Sequence, residues 1–209
     1  MNRGWFISLD GIDGAGKTTQ CQLLADWLRE RGHLVVVCRD PGSTPVGDRI
    51  RELLLDSRSA MEPLCESYLY MASRAQLVQQ IVQPALSRGE TVVCDRFLLA
   101  TVVYQGHAGG LAPEKLWDIG LFGTGGLLPD LTLVLDLEER ICAERKQGPR
   151  DRMESKGDAF VQKVRRGFLT EARRDPARIR VIDASQPVEF VARAIREEVG
   201  RVLVQHPRT

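Results

Sequence analysis

Histidine and asparagine are almost missing from this chain: there are three of the first and one of the second in 209 residues. His33, His107 and His206 keep no metal-ligand spacing with Cys21, Cys38, Cys65, Cys94 or Cys142, so a zinc site is not expected. The cysteines are odd in number and never form a C-x-x-C pair, which suits free thiols in a reducing compartment. No run of about 18 uncharged apolar residues is available to span a membrane. The burst Trp5-Phe6-Ile7-Ser8-Leu9 closes at Asp10, too short for a signal-peptide core. A cytoplasmic location is the expectation. Since Asn2 is the one asparagine, the guanine-reading N-K-x-D of a GTP-controlled switch has no counterpart. Its nearest imitation, Ser155-Lys156-Gly157-Asp158, follows no predicted strand.

Aromatic residues are also few, at 6%. This matters because residues 140–180 hold 13 Lys and Arg against 6 Asp and Glu, a local excess of +7 in a chain of net charge +1. A nucleic-acid groove interleaves aromatics with such charges, and only Phe160 and Phe168 are available, so nucleic acid is not an expected partner. Small anions or a solvated helix face remain. With 43% hydrophobic and 27% charged residues, the composition is globular. No repeat or linker divides residues 1–209, which read as one α/β domain.

Short apolar runs near 5–9, 34–38, 91–94, 131–136 and 179–182 alternate with longer helical patterns, the mark of a five-stranded parallel sheet with helices on both faces. Leu23, Leu24, Trp27 and Leu28 recur at helical spacing up to Gly32. A long helical stretch is predicted from Pro63 to about residue 88, with Pro84 as a kink or a new start. Further helices are expected near 158–174 and 187–205. Loops are expected at 40–45, 106–113 and 146–158, the last being the candidate lid.

Between the first strand and its helix, Gly11-Ile12-Asp13-Gly14-Ala15-Gly16-Lys17-Thr18 matches G-x-x-x-x-G-K-[ST]. Its glycines let backbone N–H groups and the helix N-terminus face phosphate oxygens, with Lys17 reaching the β/γ bridge and Thr18 a Mg²⁺ ion. Val92-Val93-Cys94-Asp95-Arg96 is an apolar strand ending in an acid where open α/β sheets bind ligands. Asp95 is the candidate second magnesium residue, with Asp136 competing. Arg96 beside it could hold a second phosphate bidentately, which favours position 95 and a kinase over a simple ATPase.

These residues resemble the thymidylate kinase family over nearly the whole chain. Leu9 to Gln20 is similar to that family's P-loop, and Arg39-Asp40-Pro41-Gly42-Ser43-Thr44-Pro45 to its R-E-P-G-G-T loop. Asp95-Arg96-Phe97 with Tyr104-Gln105-Gly106 resembles its D-R-Y and Y-Q-G pair, and Asp151-Arg152-Met153-Glu154 its lid sequence. Asp10 and Asp40 stand where the family has Glu, and Leu99-Ala100 where it has a more polar pair. The resemblance implies transfer of the γ-phosphoryl group from ATP to dTMP in a homodimer, with Mg²⁺, a P-loop fold and a lid at about 142–157. Gly11 to Thr19 would bind ATP, including Thr19 itself. Arg96, with Arg51 helping, would bind the dTMP phosphate; Arg74, Tyr70, Thr101, Tyr104 and Gln105 would line the base and sugar; Asp13 would meet the 3′-hydroxyl. Lys17, Arg96, Asp13, Arg150 and Arg152 are the expected catalytic set. Since the P-loop lacks arginine while the lid carries Arg145, Arg150 and Arg152, the chain resembles the bacterial lid-arginine type. A P-loop kinase for another nucleotide or a deoxynucleoside is the alternative reading.

Overall fold

The structure, a computed structural model, describes residues 3–145, 152 and 156–205. Five parallel strands lie in the order β2-β3-β1-β4-β5, formed by β1 (Phe6–Gly11), β2 (Val35–Arg39), β3 (Thr91–Asp95), β4 (Leu131–Asp136) and β5 (Ile179–Asp183). Their positions follow the predicted runs within two residues at each end. Alternation along β1 divides the interior into two cores. Ile7 and Leu9 join Val93, Leu133, Leu24 and Leu28 on one face. Phe6 meets Val92, Leu77, Val82 and Phe97 on the other.

The first core is covered by α1 (Lys17–Arg29) with α8 (Asp158–Arg174) and α9 (Val188–Gln205). The other side carries α2 (Pro45–Leu55), α3 (Pro63–Leu77) and α4 (Gln83–Ser87), with α5 (Leu98–Thr101) and α6 (Pro113–Thr124) beyond β3; α7 (Glu139–Arg145) follows β4. The long helix predicted from Pro63 is divided. A π-helical turn at Val78–Val82 separates α3 from α4, whose first turn holds Pro84. Proline lacks the N–H that an α-helix needs there and its ring crowds the carbonyl four residues back, so the wider turn lets the chain continue in nearly the same direction. A second π turn, Val102–His107, fills the start of the predicted 106–113 loop.

The central packing contact joins β1 to the second residue after β3: Phe6 and Phe97, at 0% and 1% exposure, meet edge to face with centroids 4.8 Å apart. Phe6→Ala should lower unfolding free energy by about 3–5 kcal/mol in urea titration. A loss below about 1 kcal/mol would mean that this contact does not anchor the second core.

Candidate active site

At the C-terminal edge of the sheet the chain leaves β1 through a loop in which Gly11, Gly14 and Gly16 all take positive φ, at 137°, 87° and 93°. A side chain at Gly11 would place Cβ 2.6 Å from the Leu135 carbonyl oxygen, so loop and β4 approach too closely for any other residue. Gly16 leads directly into α1, whose first residues are Lys17, Thr18 and Thr19. Lys17 is buried, donates to the Ile12 carbonyl at 2.9 Å and lies 3.7 Å from Asp13. Burial, then the nearby Arg96, push its ammonium below the usual lysine value, with Asp13 and Asp95 opposing them.

β3 ends beside this loop. Thr18 donates its hydroxyl to Asp95 Oδ2 at 2.6 Å, so a hydroxyl and a carboxylate converge at the first turn of α1. Two hard oxygen donors suit Mg²⁺, which takes its other ligands from phosphates and water. Asp136 is engaged elsewhere: Arg165 of α8 grips both its oxygens, at 2.7 and 3.0 Å. Of the two carboxylates, only Asp95 is joined to the first turn of α1.

Arg96 takes a left-handed φ of 70° and turns back across the loop. Its guanidinium donates to the Gly11 carbonyl at 2.8 Å, to Asp13 at 2.6 Å and to the Tyr104 hydroxyl at 3.3 Å. Beyond it opens a cleft of about 520 Å³ lined by Asp13, Arg51, Tyr70, Arg74, Arg96, Thr101, Tyr104 and Gln105, the whole set expected for the acceptor, together with Asp40, Pro41, Leu55 and Ala100. Arg74, 1% exposed, is fixed by Asp40 at 2.5 Å and by Thr101 at 2.8 Å, and Arg51 donates to the Pro41 carbonyl at 3.1 Å. Of the apolar pair Leu99-Ala100, Leu99 is part of the first core and only Ala100 reaches the cleft.

Arg152 is held by α2 and α3. It donates to the Leu54 carbonyl at 2.9 Å and pairs at 2.5 Å with Glu66, a buried acid of α3. Arg150 and most of the expected lid lie outside the described residues. Three acids escaped the reading of the sequence as site residues: Asp40, Glu66 and Asp10. Glu66 had a local signal, because it precedes Tyr70 and Arg74 at steps of four on one helix face. Asp40 lies in the 39–45 loop and Asp10 in β1, but no local spacing shows that Asp40 fixes Arg74 or that Asp10 is buried without a hydrogen-bond partner.

A phosphate-binding loop, a hydroxyl–carboxylate pair at its helix and an arginine-rich second cleft define a P-loop phosphotransferase with an anionic acceptor. The family model for thymidylate kinase matches residues 9–195. A thymidylate kinase of Deinococcus radiodurans is 48% identical over 189 residues, covering 90% of this chain and 92% of the relative. One of Rhodopirellula baltica is 46% identical, covering 92% and 78%. The solved thymidylate kinase of Ehrlichia chaffeensis superposes with a TM-score of 0.77 at 28% identity, covering 94% of this chain and 99% of that one. The chain belongs to the thymidylate kinase family, ATP-dependent phosphotransferases acting on dTMP.

Asp10, at the end of β1, has both carboxyl oxygens buried without a hydrogen-bond partner. Burial raises its pKa from 3.8 to about 7, against the opposing pull of Arg96 and Lys17. A carboxyl raised in the folded state binds its proton more tightly there. The stability it lends is therefore complete below the unfolded value near 3.8 and is lost as pH rises through about 7. Relative to Asp10→Asn, the parent should lose stability between these values, on the order of 4 kcal/mol by linkage. Urea midpoints measured across this range check it; a constant gap between the two proteins would show that Asp10 does not titrate there.

Proposed function

We propose that both phosphates meet in one cleft, with ATP on the P-loop and dTMP in the arginine-lined cavity, within a single kinase domain spanning residues 1–209. The observation that carries this reading is Arg96, which touches Gly11 and Asp13 of the loop and Tyr104 of the cavity. The attacking atom is an oxygen of the dTMP phosphate, whose second pKa is about 6, so it is largely deprotonated at neutral pH. No general base is required. The protein's task is in-line positioning and neutralisation of charge. Gly11 to Thr19 cradle the ATP phosphates, Lys17 neutralises the transferring group, and Arg96 with Arg51 holds the acceptor phosphate. Asp13 takes the sugar 3′-hydroxyl. Thr18 and Asp95 would hold Mg²⁺, which would supply charge neutralisation for phosphoryl transfer. Arg74 and Thr101 face the pyrimidine edge, Tyr70 and Tyr104 its ring and sugar. Gln105 lines this cavity and its buried amide oxygen has no protein partner, which supports its accepting from the base N3–H.

Because the P-loop carries no arginine, this reading follows the lid-arginine type, with a lid at about 142–157. Arg150 contacts the transferring group and Arg152, tied to Glu66, anchors the segment. A homodimer is proposed through α2, α3 and α6: α3 packs on both neighbours, and Leu53, Leu64, Tyr68 and Phe122 are exposed on these three helices. Free thiols at Cys21, Cys38, Cys65 and Cys94 accord with a cytoplasmic location.

ADP release measured with dTMP, dUMP, CMP and thymidine in parallel tests the acceptor assignment. dTMP should be preferred over dUMP by roughly tenfold to two-hundredfold in kcat/KM, the value of one methyl contact, about 1–3 kcal/mol. Equal efficiency with CMP, or turnover of thymidine in place of dTMP, would overturn it.

A further inference from the structure

Glu66 is 1% exposed, and both its oxygens are in use. Oε1 accepts from Gln105 Nε2 at 2.6 Å. Oε2 pairs with Arg152 at 2.5 Å, and Lys156 lies 3.4 Å from each oxygen. Gln105, also 1% exposed, lines the acceptor cavity and leaves its own Oε1 buried without a partner.

An amide can offer either its NH₂ or its oxygen to a neighbour, and the choice decides which hydrogen-bonding edge of a base it accepts. Facing two cations, the Glu66 carboxylate presents only acceptor oxygens. If the Gln105 amide turned over, two acceptors would meet at hydrogen-bond distance inside the protein, while the cavity would receive a donor. We propose that Glu66 is a positioning residue for base selectivity: it holds Gln105 by its NH₂ and thereby keeps the amide oxygen toward the acceptor base. A pyrimidine with a proton on N3, as in thymine and uracil, satisfies that oxygen. A pyrimidine with a bare N3, as in cytosine, sets lone pair against lone pair and leaves Gln105 unsatisfied, a situation that polar sites reject strongly. Arg152 and Lys156 hold the carboxylate in place from the other side. This inference rests on the acceptor-cavity reading given above.

The test is kcat/KM for dTMP and dCMP in the parent, Glu66→Gln and Glu66→Asp, with folding checked by circular dichroism. A glutamine at this position can donate to Gln105 and so permits the turned amide, whereas aspartate remains an acceptor. The dTMP to dCMP ratio should fall by roughly tenfold or more in Glu66→Gln, mainly through KM for dTMP, and recover in Glu66→Asp. A merely structural role would reduce both acceptors together and leave the ratio unchanged. A folded Glu66→Gln with a ratio within about twofold of the parent overturns the proposal. If the parent itself does not prefer dTMP to dCMP, the cavity reading fails first and the inference falls with it. A second measurement needs no change at Glu66: the Gln105 side-chain NH₂ resonance, assigned by its loss in Gln105→Met, should hold its shift when dCMP replaces dTMP. A large shift would mean that the amide turns freely and that Glu66 does not fix it.

Discussion

The active site depends on one backbone turn, at Arg96. Along a strand, consecutive side chains point to opposite faces, so Asp95 and Arg96 could not both serve one cleft if β3 continued through them. The left-handed φ of 70° breaks the alternation. Asp95 stays with Thr18 at the P-loop helix, while Arg96 swings to Gly11, Asp13 and Tyr104. A non-glycine residue in this region costs about 1–3 kcal/mol, offset here by three hydrogen bonds from one guanidinium and by the Arg96 N–H bonding to the Leu9 carbonyl at 2.9 Å. The P-loop and the arginine-lined cavity thus meet at Arg96 and its partner Asp13.

Around this centre, acids are used to aim cations and amides. Asp40 fixes Arg74, and Glu66 fixes Gln105, all four buried, as well as the half-buried Arg152. Buried ion pairs add little net stability, because desolvation offsets their attraction, yet removing one partner strands a charge at a cost of about 3–5 kcal/mol. Their value lies in the direction they impose. Asp10 is the exception, a buried carboxyl without a hydrogen-bond partner, whose pKa burial raises against the pull of Arg96, Lys17 and Arg74.

Much of this was legible in the sequence. The P-loop, the β3 acid and the alternation of strands with helices depend on local spacing, and the structure places each within a few residues of its expected position. What was not legible depends on distant partners. The adjacent Arg96 favours Asp95 over Asp136 in the sequence, but that Arg165, 29 residues from Asp136, grips the latter cannot be read there. Asp40 acquires meaning only from Arg74, 34 residues away, and Glu66 from Gln105, 39 residues away. The division of the Pro63 helix was half visible: Pro84 predicts an interruption but not its form, a π turn whose Val78 and Val82 are buried in the second core.

The central claim is that Arg96 belongs to the acceptor as much as to the P-loop. Calorimetric titration of dTMP and ADP into Arg96→Lys tests it directly, since lysine keeps the charge and loses the planar fork. The account predicts that dTMP affinity falls roughly tenfold to a hundredfold, the worth of charge-assisted hydrogen bonds, while ADP affinity stays within about threefold. Unchanged dTMP affinity, or an equal loss for both nucleotides, would contradict it.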